Sequence, residues 1–168
     1  LALVRTAQEH GVSSRIVEAV VEVNAAQKAR MVKKIRTALG ESVSGKRIAV
    51  LGLTFKPETD DMRDAPALTI LPQLVDKGAE IVAHDPKGID EARPMLPEQI
   101  EYREDIYETI RDADALVLMT EWNAYRGLQL DRVRELMQGN VFVDLRNVYE
   151  PDVMAAKGFD YSCVGRSD

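Results

Sequence analysis

Three cations and one aromatic stand where they could do chemistry in an otherwise acidic chain. Phe55, Lys56 and Arg63 lie within LGLTFKPETDDMRDAP (Leu51–Pro66), and Arg146 follows an apolar run in VDLRNVY (Val143–Tyr149). An ammonium and a guanidinium brought together suit a phosphate or a carboxylate, the guanidinium as a planar fork and the ammonium as a point charge. The same letters also admit a plainer outcome, in which these are surface cations paired with Asp60, Asp61 or Glu121. Which holds depends on the elements that carry them.

Those elements alternate. RIAVLG (Arg47–Gly52) is predicted as a strand, Ala65–Lys77 as a helix closed by Gly78, and AEIVAH (Ala79–His84) as a strand stopped by Asp85-Pro86. Ile100–Arg103 is a further strand, Ile106–Asp112 a short helix, Asp114–Thr120 a strand and Asp131–Met137 a helix. Asn140–Asp144 is a strand, Pro151–Lys157 a helix and Asp160–Val164 a last strand. Apolar strands separated by helices imply an α/β fold, a three-layer parallel sheet covered on both faces. Ligands of such sheets bind at the carboxyl ends of the strands. That rule selects the loops of Lys56, Thr120-Glu121-Trp122 and Arg146, and predicts that Lys56, Arg63 and Arg146 converge on one edge. Pro72, inside the first sheet helix, removes one backbone bond and should kink it.

Upstream the pattern differs. Leu1, Leu3, Val4 and Ala7 fit a helix face, Gly11-Val12-Ser13-Ser14 breaks it, and Ser13 or Ser14 can cap a second helix. Arg15–Leu39 then runs without Gly or Pro to Gly40, a natural C-cap. Its first half is apolar on more than one stripe and its second half is basic. A surface helix needs a single apolar face, so this helix is expected to pack on a further domain, on a second copy of itself, or on both. Residues 1–43 thus read as a helical segment and 44–168 as the sheet domain, joined by the polar ESVSGK. The chain starts with Leu rather than Met, and an upstream part is expected.

The net charge of -6 argues against nucleic acid or an anionic membrane as the main partner. No apolar run approaches the ~20 residues of a membrane span. The single cysteine, Cys163, excludes an internal disulfide and a cysteine metal cluster and suits a reducing cytoplasm. It sits in a strand, where a buried cysteine is a small hydrophobe. His10 and His84 have no metal-ligand spacing and are read as structural or surface groups. Glu121-Trp122 reads as a packing corner in preference to a ligand contact. A dinucleotide turn needs G-x-G-x-x-G and an acid about 20 residues on; here Gly52 stands alone and Asp85 comes over thirty positions later.

Taken together, G-L-T-F-K-P-x-T-D-D-M-R-D-A-P, G-A-E-I-V-A-H-D-P, V-N-A-A-Q-K, M-T-E-W-N and V-D-L-R-N-V-Y resemble, in order and spacing, the C-terminal half of the nucleotide-sugar 6-dehydrogenases. The resemblance covers essentially the whole chain. It implies a Rossmann-like domain that closes over a UDP-sugar, preceded by a long helix that forms a homodimer. It implies that Phe55, Lys56 and Arg146 contact the sugar nucleotide and that Arg63 reaches toward NAD held by a separate N-terminal domain. Members of the family oxidise the sugar C6 hydroxyl to a carboxylate through a cysteine thioester. No catalytic residue is expected within these 168 residues, because the nucleophilic cysteine would lie upstream of Leu1. UDP-glucose is the expected substrate; GDP-mannose, a UDP-N-acetyl-hexosamine, or a non-catalytic binding and dimerisation module remain alternatives.

Overall fold

Strands with no polar face must be covered on both sides, and the computed structural model, which describes residues 15–166, shows how. The order is α1 (Arg15–Ala38), β1 (Arg47–Leu51), α2 (Ala67–Asp76), β2 (Glu80–His84), α3 (Ile89–Ala92), β3 (Glu101–Tyr102), α4 (Ile106–Ile110), β4 (Ala115–Leu118), α5 (Asn123–Arg126), α6 (Leu130–Leu136), β5 (Val141–Asp144), α7 (Pro151–Ala156) and β6 (Asp160–Cys163). The strands form one sheet, every pair parallel, in the order β3-β2-β1-β4-β5-β6. This is the doubly wound Rossmann order, with its switch point between β1 and β4. The expected strands are present, and two four-residue helices, α3 and α5, are additions.

The pleat divides the core in two. Ile48 and Val50 of β1, Ile81 and Ala83 of β2, Val117 of β4 and Val143 of β5 face a cluster with Val32 and Ile35 of α1 and Ile70, Leu71 and Leu74 of α2. The alternate residues Ala49, Leu51, Leu116, Leu118 and Phe142 face a second cluster with Ile110 of α4, Val133 of α6 and Met154 of α7. Side chains of successive strand residues point to opposite faces, so one short apolar strand feeds both cores. Burying each large aliphatic side chain contributes about 1.5–3 kcal/mol.

Helix α1 ends in a Schellman motif: the Gly40 amide donates to the Thr37 carbonyl at 3.1 Å and the Glu41 amide to that of Arg36 at 2.8 Å. Only its second half enters the core. In its first half Ile16 is 81% exposed, Val20 53% and Val23 66%. Helix α2 runs on through Pro72. No helix among the described residues is long and apolar enough to cross a membrane. His10, the leading apolar positions and the Ser13 or Ser14 cap lie outside the described residues.

Candidate functional site at the strand ends

His84, Leu51, Leu118, Asp144 and Cys163 are register partners in turn, a single row across five strands. The loops that carry the predicted cations therefore leave the sheet at one level. Lys56 follows the end of β1 by five residues and Arg146 that of β5 by two, with β4 between them. At about 4.8 Å per strand, the loop origins are about 10 Å apart.

The first loop stands on apolar feet. Leu53 and Met62 are buried, whereas Phe55 (49% exposed), Lys56 and Arg63 are exposed between and beside them. The Phe55 amide donates to the Asp61 carbonyl at 2.9 Å and pinches the excursion closed. Lys28 of α1 donates to the carbonyl of Asp64 at 3.0 Å, which ties V-N-A-A-Q-K to this loop. Asp64 needs that support, since its φ of +58° lies in the left-handed region.

Two of the cations are paired. The Arg63 guanidinium grips Asp61 through Nε at 2.9 Å and a second nitrogen at 2.8 Å. These hydrogen bonds pull the Asp61 carboxyl down to about 2. Arg146 meets Glu121 through Nε at 2.5 Å and Nη2 at 2.7 Å, and this bond holds the Glu121 carboxyl below its usual range. The Glu121 pair is side-on. It leaves the Nη1 and Nη2 end of the guanidinium, the edge that takes a phosphate in a bidentate grip, without a protein acceptor among the described residues. Lys56 has no ion-pair partner among them. The plainer outcome, paired surface cations, thus describes Arg63 and one edge of Arg146. Glu121 is an ion-pair partner rather than a packing group, while Trp122 is buried as expected.

Two buried carboxylates shape these loops, and spacing in the sequence assigned them no role. Asp144, 0% exposed, accepts from the Arg146 amide on Oδ1 at 2.9 Å. Its Oδ2 accepts from the Val148 amide at 2.7 Å, the Tyr149 amide at 3.1 Å and the Tyr161 hydroxyl at 2.8 Å. Asp85 accepts on Oδ2 from the Leu53 and Thr54 amides and from Trp122 Nε1, and on Oδ1 from the Lys87 and Gly88 amides. Each stands directly beyond or at the end of an apolar strand, which was the available signal.

The switch point does not fit a dinucleotide. Gly52, at φ +95°, lies so close to the loop after β4 that a Cβ there would sit 2.5 Å from Thr120 Cβ. Thr120 Oγ1 donates to the Thr54 carbonyl at 2.7 Å across the same gap. The acid at the end of β2, which would hold a ribose, is spent on backbone amides. The lone glycine serves the contact of two loops, not a pyrophosphate. Cys163 is buried at the end of β6.

Comparison with known proteins gives these features a setting. The UDP-glucose/GDP-mannose dehydrogenase family, UDP binding domain, matches residues 49–151. The chain is 47% identical over 168 residues to a UDP-glucose 6-dehydrogenase of Rhizobium meliloti, covering 100% of this chain and 38% of that protein. It is 41% identical to the UDP-glucose 6-dehydrogenase TuaD of Bacillus subtilis, covering 98% of this chain and 36% of the relative. Among solved structures it superposes with a TM-score of 0.80 at 29% identity on a UDP-glucose dehydrogenase from the archaeon Pyrobaculum islandicum, covering 99% of this chain and 36% of that one. The chain spans little over a third of the length of these relatives.

Proposed function

The chain belongs to the UDP-glucose/GDP-mannose dehydrogenase family, and from that premise we propose that it forms the substrate-gripping half of an NAD-dependent UDP-glucose 6-dehydrogenase that yields UDP-glucuronate. Lys56 and the free edge of Arg146 hold the diphosphate from two sides, and Phe55 covers the nucleotide. The observation that carries this reading is the common row from which both loops rise, one strand apart on either side of β4. A diphosphate offers oxygens to an ammonium and a guanidinium at once, and Glu121 keeps the guanidinium turned toward it without occupying that edge.

NAD, the hydride acceptor of such an enzyme, does not fit the filled switch point of this sheet. We assign its site to a domain outside these residues, with Arg63, exposed on the outer loop, meeting it from this side. The thiol chemistry is assigned likewise to a cysteine upstream of Leu1, since Cys163 is buried. In this division residues 1–43 serve assembly and residues 44–168 serve the UDP-sugar, in a cytoplasmic setting. The relatives named for UDP-glucose favour that sugar over GDP-mannose.

The test is a titration of the chain with UDP-glucose, followed by amide NMR shifts and calorimetry. Lys56→Ala and Arg146→Ala should each weaken binding about tenfold or more, the worth of a charge-assisted hydrogen bond. Binding as strong in both variants as in the unsubstituted chain, or shifts that avoid the loops of Lys56 and Arg146, would overturn the assignment. We further propose that a second copy covers Ile16, Val20 and Val23 on α1. Light scattering should give a dimer that Val20→Glu dissociates, and a concentrated wild-type monomer would refute it.

A further inference from the structure

The carboxyl ends of β2 and β3 frame a cavity of about 460 Å³, on the far side of β1 from Arg146. Its walls are the turn after β2, helix α3 and the residues just past β3. Open α/β sheets take ligands outside the carboxyl ends of their strands, and the volume falls in the usual range for small-molecule sites. Lys87, Arg93 and Arg103 line it together with Asp85, Asp90 and Glu104, so cations and acids are equal in number.

How those groups are occupied matters more than their number. Arg93 lies over the ring of Tyr102 with its guanidinium carbon 4.7 Å from the centroid, a contact that positions the fork and leaves its N–H groups available. Neither Arg93 nor Lys87 has an ion-pair partner among the described residues, while Arg103 is tethered to Glu101 on one edge. The hydroxyl of Tyr102 is buried and lacks a hydrogen-bond partner among the described residues. Buried hydroxyls are almost always satisfied, so an acceptor from outside the chain would complete this one. Asp85 and the Lys87 and Gly88 amides are already bound to one another. The acid at the end of β2 is therefore not free to hold a ribose, as it would be in a dinucleotide site. Beside Asp90 and Glu104 the cavity sets a forked cation, a second tethered one, an ammonium and a hydroxyl donor. That set matches the three oxygens and near-double charge of a phosphomonoester.

We propose that this cleft binds the phosphate group of a small phosphorylated metabolite, gripped by Arg93, Arg103 and Lys87 with the Tyr102 hydroxyl as a further donor. The site stands apart from the Lys56–Arg146 rim and does not depend on its assignment. Its test uses the whole chain carrying Lys56→Ala and Arg146→Ala, so that the rim is silent. Inorganic phosphate, uridine monophosphate and glucose 6-phosphate are titrated separately and followed by amide NMR shifts. Saturable shifts at Lys87, Gly88, Arg103 and Glu104 are expected, with the tighter of ester and free phosphate identifying which form fills the site. Arg93→Gln should weaken binding about tenfold or more, and Tyr102→Phe about threefold. Tyr102→Phe removes only the unpartnered hydroxyl, so it should leave the melting temperature of the unliganded chain unchanged or higher. No saturable shift with any of the three probes at millimolar concentration, or affinity in Arg93→Gln and Tyr102→Phe unchanged from the parent chain, would overturn the proposal.

Discussion

Replacing Asp144 by Asn asks whether a buried carboxylate holds the Arg146 loop. The side chain is fully buried and takes four donors: the Arg146 amide on Oδ1, and the Val148 amide, Tyr149 amide and Tyr161 hydroxyl on Oδ2. An asparagine keeps the shape but has one acceptor oxygen. Its better orientation leaves that oxygen where three donors meet and turns the NH2 toward the Arg146 amide, so donor faces donor. One part-buried amide loses its partner, at the low end of about 1–3 kcal/mol. The three remaining bonds lose the charge that roughly doubles the strength of each. The sum is roughly 3 kcal/mol, within the 5–15 kcal/mol stability of an ordinary domain, so the variant stays folded and measurable. Urea denaturation reads the stability, and UDP-glucose titration reads the site. Affinity should fall about tenfold, because the bond lost is the one to the backbone of Arg146, while amide shifts around Lys56 on ligand addition persist. A stability change below about 0.5 kcal/mol, the range of neutral surface changes, together with unchanged affinity would refute the reasoning.

Two further outcomes concern the same loops. Gly52→Ala places a methyl 2.5 Å from Thr120 Cβ and 2.6 Å from its amide nitrogen at φ +95°. The left-handed backbone costs about 1–2 kcal/mol and overpacking about 1–3 kcal/mol, so denaturation should show roughly 3 kcal/mol lost; a change under about 0.5 kcal/mol would mean the two loops do not touch as described. His84 is held below its ordinary pKa of 6.5, burial outweighing the opposing pull of Asp85. The unfolded chain then takes up the proton first as pH falls. Stability should be full above about pH 6.5 and decline below it, and His84→Gln should flatten that slope; identical pH dependence in both proteins would exclude the buried imidazole as its cause.

Much of this molecule can be read from letters, for reasons that particular residues make plain. The strands Arg47–Leu51, Glu80–His84 and Ala115–Leu118 are apolar on both faces, so their length and their punctuation by Gly and Asp-Pro suffice. Helices α3 and α5 have four residues each, too few for a 3.6-residue period to show. The cations of the rim were legible because the carboxyl-end rule acts on strands, and the strands were known. Asp85 and Asp144 were not, because one letter does not say whether an acid turns outward to solvent or back onto the amides of its own loop. Nor could spacing tell a paired cation from a ligand-binding one. Arg146 is paired through its Nε edge with Glu121, and in the proposed grip its other end takes the ligand.

The same strand order that elsewhere cradles a dinucleotide here has its centre closed. Gly52 lets the loop after β1 lie against Thr120, the Thr120 hydroxyl bonds the Thr54 carbonyl, and Asp85 gathers amides from the loops after β1 and β2 and the Trp122 indole N–H from the loop after β4. A ligand drawn to the carboxyl ends of the strands cannot settle over the switch point, so it must lie to one flank or the other. Among the described residues, the flank toward β5 presents an unpaired ammonium and half a guanidinium. Toward β3 it presents a cavity with an unsatisfied hydroxyl. In the proposed function, filling the centre moves anion recognition outward, which accounts for a chain with the dinucleotide fold keeping only Gly52 at the turn after β1.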